Sequence, residues 1–226
     1  MKGSLLKYAD RIPELGHGGK TIKEYLIQSA RKVNAGEFII DIAPFLGSTT
    51  MYLAEGIRQS GKDVKIYAYD RWIADDKMDI KLNRKLNGHY PEGYDFKHLY
   101  WQYVKEAWEY IIPTQIHVLD IVWKLGKIGL YVDDIGVGKK RVDYLMKIFS
   151  PYFVPDHTVL YILDYYQHIT REHMPHMKYQ KDFFEANHKV FKFIERCKGS
   201  VTAKLLYLGG KINYNVKGKS CGQDTA

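Results

Sequence analysis

Glu37-Phe38-Ile39-Ile40-Asp41-Ile42-Ala43-Pro44-Phe45-Leu46-Gly47-Ser48-Thr49-Thr50 opens the stretch that decides the fold. The apolar run from Phe38 to Ala43 predicts a strand, the chain turns through Gly47, and a helical pattern follows to Gly61. A second apolar run, Val64 to Tyr69, ends on Asp70. Strand, tight turn, helix and strand in so short a span make a βαβ unit. Such a unit delivers parallel strands to one edge of a sheet, and ligands bind beyond their carboxyl ends. Gly47 lets backbone approach a ligand, Ser48 or Thr49 is placed to cap the helix, and the helix N-terminus offers unpaired N–H groups. Asp70, at the tip of the second strand, is placed to accept both hydroxyls of a ribose. The pattern reads as a nucleoside-cofactor pocket.

The turn narrows the choice of nucleoside. A dinucleotide fingerprint requires G-x-G-x-x-G, whereas this turn has one glycine, and Pro44, Phe45 and Leu46 fill the space of a pyrophosphate. That argues against a nicotinamide-dependent oxidoreductase. Gly218-Lys219-Ser220 matches only the end of a Walker loop and follows no strand. A ligand with a ribose and no phosphate fits better.

At Asp41-Ile42-Ala43-Pro44-Phe45-Leu46-Gly47-Ser48-Thr49 and at Tyr69-Asp70-Arg71-Trp72 the chain resembles the class I S-adenosylmethionine-dependent methyltransferases. Within them it is similar to the bacterial macrocin O-methyltransferase-like enzymes that methylate sugars and small molecules. The first segment matches an acidic-x-Gly-x-x-x-Gly-x-Ser/Thr motif, except that Ala43 stands where the family has its first glycine. Its methyl group would crowd the methionine part of the cofactor. The resemblance implies S-adenosyl-L-methionine as cofactor, with Asp41 and Gly47 flanking its methionine end, Asp70 at the ribose, Asp120 at the adenine, and Asp133 facing the methyl transfer. It also implies Ala43, Phe45, Ser48, Thr49 and Arg71 as cofactor-binding residues.

Down the chain, Thr21-Ile22-Lys23-Glu24 reads as a capping box for a helix that runs to Gly36. Residues 71–95 bear no clear period, and a connection that long is usually functional or disordered; leaving the carboxyl edge, it suits an acceptor-binding lobe. Lys97 to Ile111 reads as a helix with Trp101, Val104 and Trp108 as its core stripe. Strands are expected over Gln115–Leu119, Lys127–Val132 and His157–Leu163, ending at Asp120, Asp133-Asp134 and Asp164, with one helical turn over Ile121–Lys124. An amphipathic helix over Lys139–Phe149 and a terminal hairpin, Phe191–Arg196 with Ala203–Leu208, complete the pattern. The expected fold is α/β, a Rossmann-like class I methyltransferase. Its sheet should be mostly parallel and seven-stranded, with one antiparallel edge strand and helices on both faces. One domain is expected over 1–226, with a helical lead-in at 1–36, a core at 37–210, an inserted loop at 71–95 and a loose basic tail at 211–226.

Methyl transfer to a hydroxyl needs alignment and removal of a proton. His168, four residues past Asp164, is the candidate base, with Asp133 or Asp164 as alternatives; a surface histidine in a loop is the plain reading of the same residue. In metal-dependent members of the resembling group, acids at these two strand ends hold a divalent ion. Here Ile135 and Tyr165 replace further acidic ligands, which leaves a thin magnesium site even with His168, His173 and His176 nearby, and disfavours a metal.

Composition bounds the partners. Between Lys189 and Ala226 lie eight Lys or Arg against two acids, a balance of +6 out of the chain's +8. No stacking or basic-helix motif accompanies this charge, so a solvated face is favoured over a nucleic-acid partner. Cys197 and Cys221 show no metal spacing or disulfide framework, which suits a reducing cytoplasm. No apolar run is long enough to span a membrane, so a soluble, intracellular protein is expected. The expected acceptor is a small molecule or glycan methylated on oxygen. Methylation of nitrogen on a small or macromolecular acceptor, or a non-catalytic module that kept the fold, are the open alternatives. The oligomeric state is not legible.

Overall fold

The computed structural model describes residues 3–13, 20–75, 82–135, 137–171 and 174–217. Helices α1 (Leu6–Ala9) and α2 (Lys23–Lys32) precede β1 (Phe38–Ile42), α3 (Ser48–Ser60) and β2 (Lys65–Asp70). Then come α4 (Lys97–Val104), β3 (Ile111–Gln115), β4 (Ile128–Asp133), α5 (Lys139–Phe149) and β5 (Val159–Ile162). Helix α6 (Tyr179–Ala186) leads to β6 (Phe191–Arg196) and β7 (Ala203–Tyr207). The seven strands form one sheet in the order β3-β2-β1-β4-β5-β7-β6. Pairings from β3 through β5 are parallel, and β7 is antiparallel to both neighbours. The antiparallel strand thus sits one place in from the edge, which β6 occupies.

Side chains alternate across β1, and each face meets its own helices. Ile39, Ile66, Leu130, Val132 and Tyr161 pack with residues of α1 to α4. Ile40, Ile42, Tyr131, Leu160 and Ile162 pack with α5 and α6. Burial on both faces is why these strands read as continuous apolar runs. At the crossing of α2 and α3 a glycine is required for space: a methyl group on Gly56 would lie 2.5 Å from the Ile27 carbonyl and 2.7 Å from the Ala30 Cβ. Glu55, one residue earlier, is 1 % exposed. It accepts the Leu5 N–H at 2.9 Å and pairs with Arg58 at 2.7 Å, which fastens the residues leading into α1 to α3.

Several sequence expectations change. The strand expected over Gln115–Leu119 lies at Ile111–Gln115 instead, and Asp120 closes a 3₁₀ turn at Val118–Asp120. Pro113 obscured this strand, because proline lacks a ladder donor; β3 tolerates it as an edge strand, bonded only to β2. The preceding helix is correspondingly shorter and tightens to 3₁₀ over Lys105–Tyr110. Its buried residues are Tyr100, Val104 and Ala107, while Trp108 is 64 % exposed, so the expected stripe was rotated by the change of helix type. No side-chain cap starts α2, which begins at Lys23 after Ile22 and ends at Lys32 rather than near Gly36. Residues 121–124 form no helical turn.

Two irregular segments prove partly ordered. In 71–95, Trp72, Ala74 and Leu82 are buried and Ile73 bridges Asp95, although 76–81 lie outside the described residues. Of the tail expected to be loose, 211–217 are described and are held down. Asn187 exchanges hydrogen bonds with the backbone of Asn213 at 2.7 and 3.1 Å, and Lys139 Nζ donates to the Tyr214 carbonyl at 2.9 Å. Cys221 and the 218–220 triplet lie outside the described residues. No helix among the described residues is long and apolar enough to cross a membrane.

The α2–α3 crossing yields a test of the fold. Gly56→Ala should cost about 1–3 kcal/mol in urea unfolding, the usual cost of overpacking. An unchanged midpoint would mean the two helices do not meet at this contact.

Candidate functional site

The strand order reverses direction between β1 and β4, the switch point beyond whose carboxyl ends open α/β sheets bind their ligands. Register brings the acids level. Ile42 pairs with Tyr69 on one side and Asp133 on the other, and Asp133 pairs with Ile162. Asp70 is therefore one residue past its pair, and Asp164 two past Ile162. Asp41, Asp70, Asp133, Asp134 and Asp164 share one edge, as the sequence suggested. Asp120 does not join them: it is exposed, five residues beyond the end of β3.

Asp41 is 1 % exposed and is held by the helix that follows it. Thr49 Oγ1 donates to both its oxygens at 3.1 Å and Thr50 Oγ1 to one at 2.6 Å. The cap role expected of Thr49 is thus spent on Asp41, and α3 starts at Gly47 with no side-chain cap. Ser48 is buried beside it. Thr50, the shortest contact, carried no role in the sequence reading; its place one helical position after Thr49 was the available signal. Burial pushes the Asp41 carboxyl up to about 7, the two threonines oppose the shift, and the charge of Asp70 adds to it.

The turn from Ala43 to Gly47 is left-handed at three residues: Ala43 (φ 58°), Phe45 (φ 55°) and Gly47 (φ 94°). A glycine at position 43 would adopt that φ without strain; Ala43 keeps it while donating to the Tyr69 carbonyl at 2.8 Å. At Gly47 a Cβ would run into Val104 Cγ1. The turn reaches across to β2, where the Phe45 N–H donates to Asp70 Oδ2 at 3.1 Å and the Trp72 N–H to Oδ1 at 2.8 Å. Burial raises the Asp70 carboxyl to about 6 against these donors. Arg71 is exposed, and its carbonyl accepts from Gln115 at 2.9 Å.

Asp133, buried, accepts from the Tyr131 hydroxyl at 3.0 Å and from the Ile135 N–H at 3.0 Å. Tyr131 is a second residue the sequence reading did not single out. Asp134 is exposed, with four other acids around it. Desolvation first, then the charges of Asp164, Asp133, Asp41 and Asp70, hold its carboxyl well above the ordinary range. Asp164 is half-buried at the end of β5. His168 follows in a 3₁₀ turn, Gln167–Ile169, half-buried, with its Nδ1 lacking a hydrogen-bond partner. His173 lies outside the described residues. Among the described residues no three His, Cys, Asp or Glu side chains gather as a metal ion requires.

No protein-family model matches the sequence, and no curated protein matches it. Solved structures do. The O-methyltransferase NovP superposes with a TM-score of 0.60 at 12 % identity, covering 84 % of this chain and 80 % of its own. The SAH-bound Podospora anserina methyltransferase PaMTH1 gives 0.57 at 10 % identity, covering 93 % and 89 %. OxaC in complex with SAH and oxaline gives 0.50 at 10 % identity, covering 84 % of this chain and 47 % of its own. At these identities the likeness is one of fold, and it is the Rossmann-like methyltransferase fold expected from the resemblance.

Asp41 carries a measurable consequence. Its folded value of about 7 stands above the ordinary 3.8, so the folded protein holds the proton more tightly than the unfolded chain does. Stability should therefore fall as pH rises from about 4 to about 7, by at most about 4 kcal/mol from this group. Asp41→Asn keeps the shape and removes the titration. Urea unfolding of both proteins at pH 4.5 and 7.5 should show a steeper decline in the wild type; equal declines would remove Asp41 as the source.

Proposed function

We propose that this chain is an S-adenosylmethionine-dependent methyltransferase acting on an oxygen of a small or carbohydrate-like acceptor. The observation that carries the reading is the left-handed turn after β1, whose Phe45 N–H meets the carboxylate of Asp70 at the tip of β2. A carboxylate fixed at that junction suits the two hydroxyls of a ribose, and a turn with one glycine lacks the fingerprint that a pyrophosphate needs. The methyltransferase fold shared with PaMTH1 and OxaC, both solved with SAH, supports the same cofactor.

When bound, the cofactor supplies a methyl group already activated on a sulfonium. The protein's part is to bind, align and manage one proton. Asp70 would hold the ribose, and Asp41, Gly47, Ser48 and Thr49 would frame the methionine end. The carboxylates of Asp133 and Asp164 would give this edge a negative field that favours a cation, while Asp134 is biased toward its neutral form. His168, past β5, is the residue we assign to proton removal, with Asp133 or Asp164 as second choices. An essential magnesium is disfavoured because Ile135 and Tyr165 stand where further acidic ligands would be expected. A cytoplasmic location accords with a chain whose buried Cys197 stays a free thiol.

Calorimetry with S-adenosylmethionine, S-adenosylhomocysteine and NAD separates the enzyme from its rivals. Binding of the first two and not of NAD is expected; affinity weaker than millimolar for both would favour a non-catalytic module. Asp70→Ala should weaken S-adenosylhomocysteine by about 1.5–3 kcal/mol, the range for a hydrogen bond to a charged group. Ala43→Gly, which relieves the left-handed strain, should leave binding intact or tighten it.

Turnover tests the proton. His168→Ala should lower it by about 10²–10⁴-fold, the usual share of a general base, and chelator should leave it unchanged. Chelator-sensitive turnover restored by magnesium, with His168→Ala near wild type, would transfer the role to a metal.

A further inference from the structure

Trp72 is wholly buried, yet it follows the strand tip in a left-handed conformation (φ 47°) that a bulky residue rarely adopts. Such strain persists only where surrounding contacts fix it. Four contacts do so. The indole Nε1–H donates to the Phe45 carbonyl at 2.8 Å. The ring packs on Tyr100, centroids 4.6 Å apart, and Lys97 Nζ stands 5.7 Å from its face. The backbone N–H of Trp72 meets Asp70 Oδ1 at 2.8 Å, while the Phe45 N–H meets Oδ2 at 3.1 Å. Phe45 is thus gripped by its carbonyl from the indole and bound through its N–H to the carboxylate. The circuit runs from Trp72 to Phe45 to Asp70 and back to Trp72. Phe45 is itself left-handed, so without the indole its carbonyl would be released, leaving the Ala43 N–H bond to Tyr69 and the Phe96 ring to hold the turn, and its N–H would be less firmly aimed at the acid.

We infer that Trp72 is a positioning residue: its indole N–H locks the turn after β1 to the tip of β2 and thereby fixes the Asp70 carboxylate for the ribose. The inference rests on the cofactor reading above. It extends that reading to a residue that touches Asp70 and the turn rather than the ligand.

The test is Trp72→Phe, which keeps an aromatic ring and removes the donor. Two readouts are taken. In the ligand-free protein, NMR titration follows the Asp70 carboxyl. The groups facing it are Arg71 beside it, Asp41 from β1, Asp134 after β4 and Tyr100 from α4; all four residues stay in Trp72→Phe, and Tyr100 keeps an aromatic ring to pack on. Losing the Phe45 N–H removes a donor that favours the charged form, so the Asp70 midpoint should move up in Trp72→Phe. In the second readout, S-adenosylhomocysteine affinity should fall roughly tenfold, the effect of leaving one buried carbonyl unpaired and one carboxylate loosened. Leu145→Ala, a core truncation in α5 away from the turn, controls for lost stability and should change neither readout. An Asp70 midpoint unmoved by Trp72→Phe overturns the inference, whatever the ligand. A midpoint that moves while wild type fails to bind S-adenosylhomocysteine supports the positioning role and sinks the cofactor reading instead. Should Trp72→Phe not fold, Trp72→Met provides the same readouts.

Discussion

A buried carboxylate tied to two threonines sets the geometry on which the rest of the site depends. Asp41, the penultimate residue of β1, is clasped by Thr49 and Thr50 from the first turn of α3. Strand and helix are therefore bonded to each other directly across the turn that separates them. The turn between these anchors has five residues in which to reverse direction. It does so through three left-handed backbones, two of which are not glycine. A group buried this deeply would ordinarily be costly, and the hydroxyl donors offset part of that cost. The tight turn in turn places Phe45 where it can meet β2.

Much of this was legible in the sequence because parallel sheets leave strong signals. The runs at 38–43 and 64–69 are apolar on both faces, and only a strand with helices above and below is buried in that way. Terminal acids at Asp41, Asp70, Asp133 and Asp164 could be placed on one edge from the direction of the strands alone. Their partners could not be read. Which hydroxyl meets Asp41, or that Tyr131 reaches Asp133 two residues on, depends on rotamers and on the pitch of α3, and neither leaves a periodic trace.

The misreadings between residues 97 and 120 share a cause. Around residues 97–120 the chain passes from α-helix to 3₁₀-helix to strand without a glycine, and Pro113 falls inside the strand. A change of helical pitch rotates every later side chain, which turned Trp108 outward. Once the strand was displaced by four residues, Asp120 no longer stood at a strand tip. Position 43 is the opposite case. There the departure from glycine was visible in the sequence, and only the backbone angle explains why glycine is the usual choice.

The placing of β7 between β5 and β6 bears on how the chain is made. Synthesis produces β5, then β6, and only afterwards the strand that must separate them. Until residues 203–207 emerge, β5 presents an unpaired edge, and β6 has nothing in the sheet to join. Open edges of this sort are templates for pairing with other chains. A ribosome that stalls or terminates before β7 would release a sheet whose β5 edge is open to pairing with other chains.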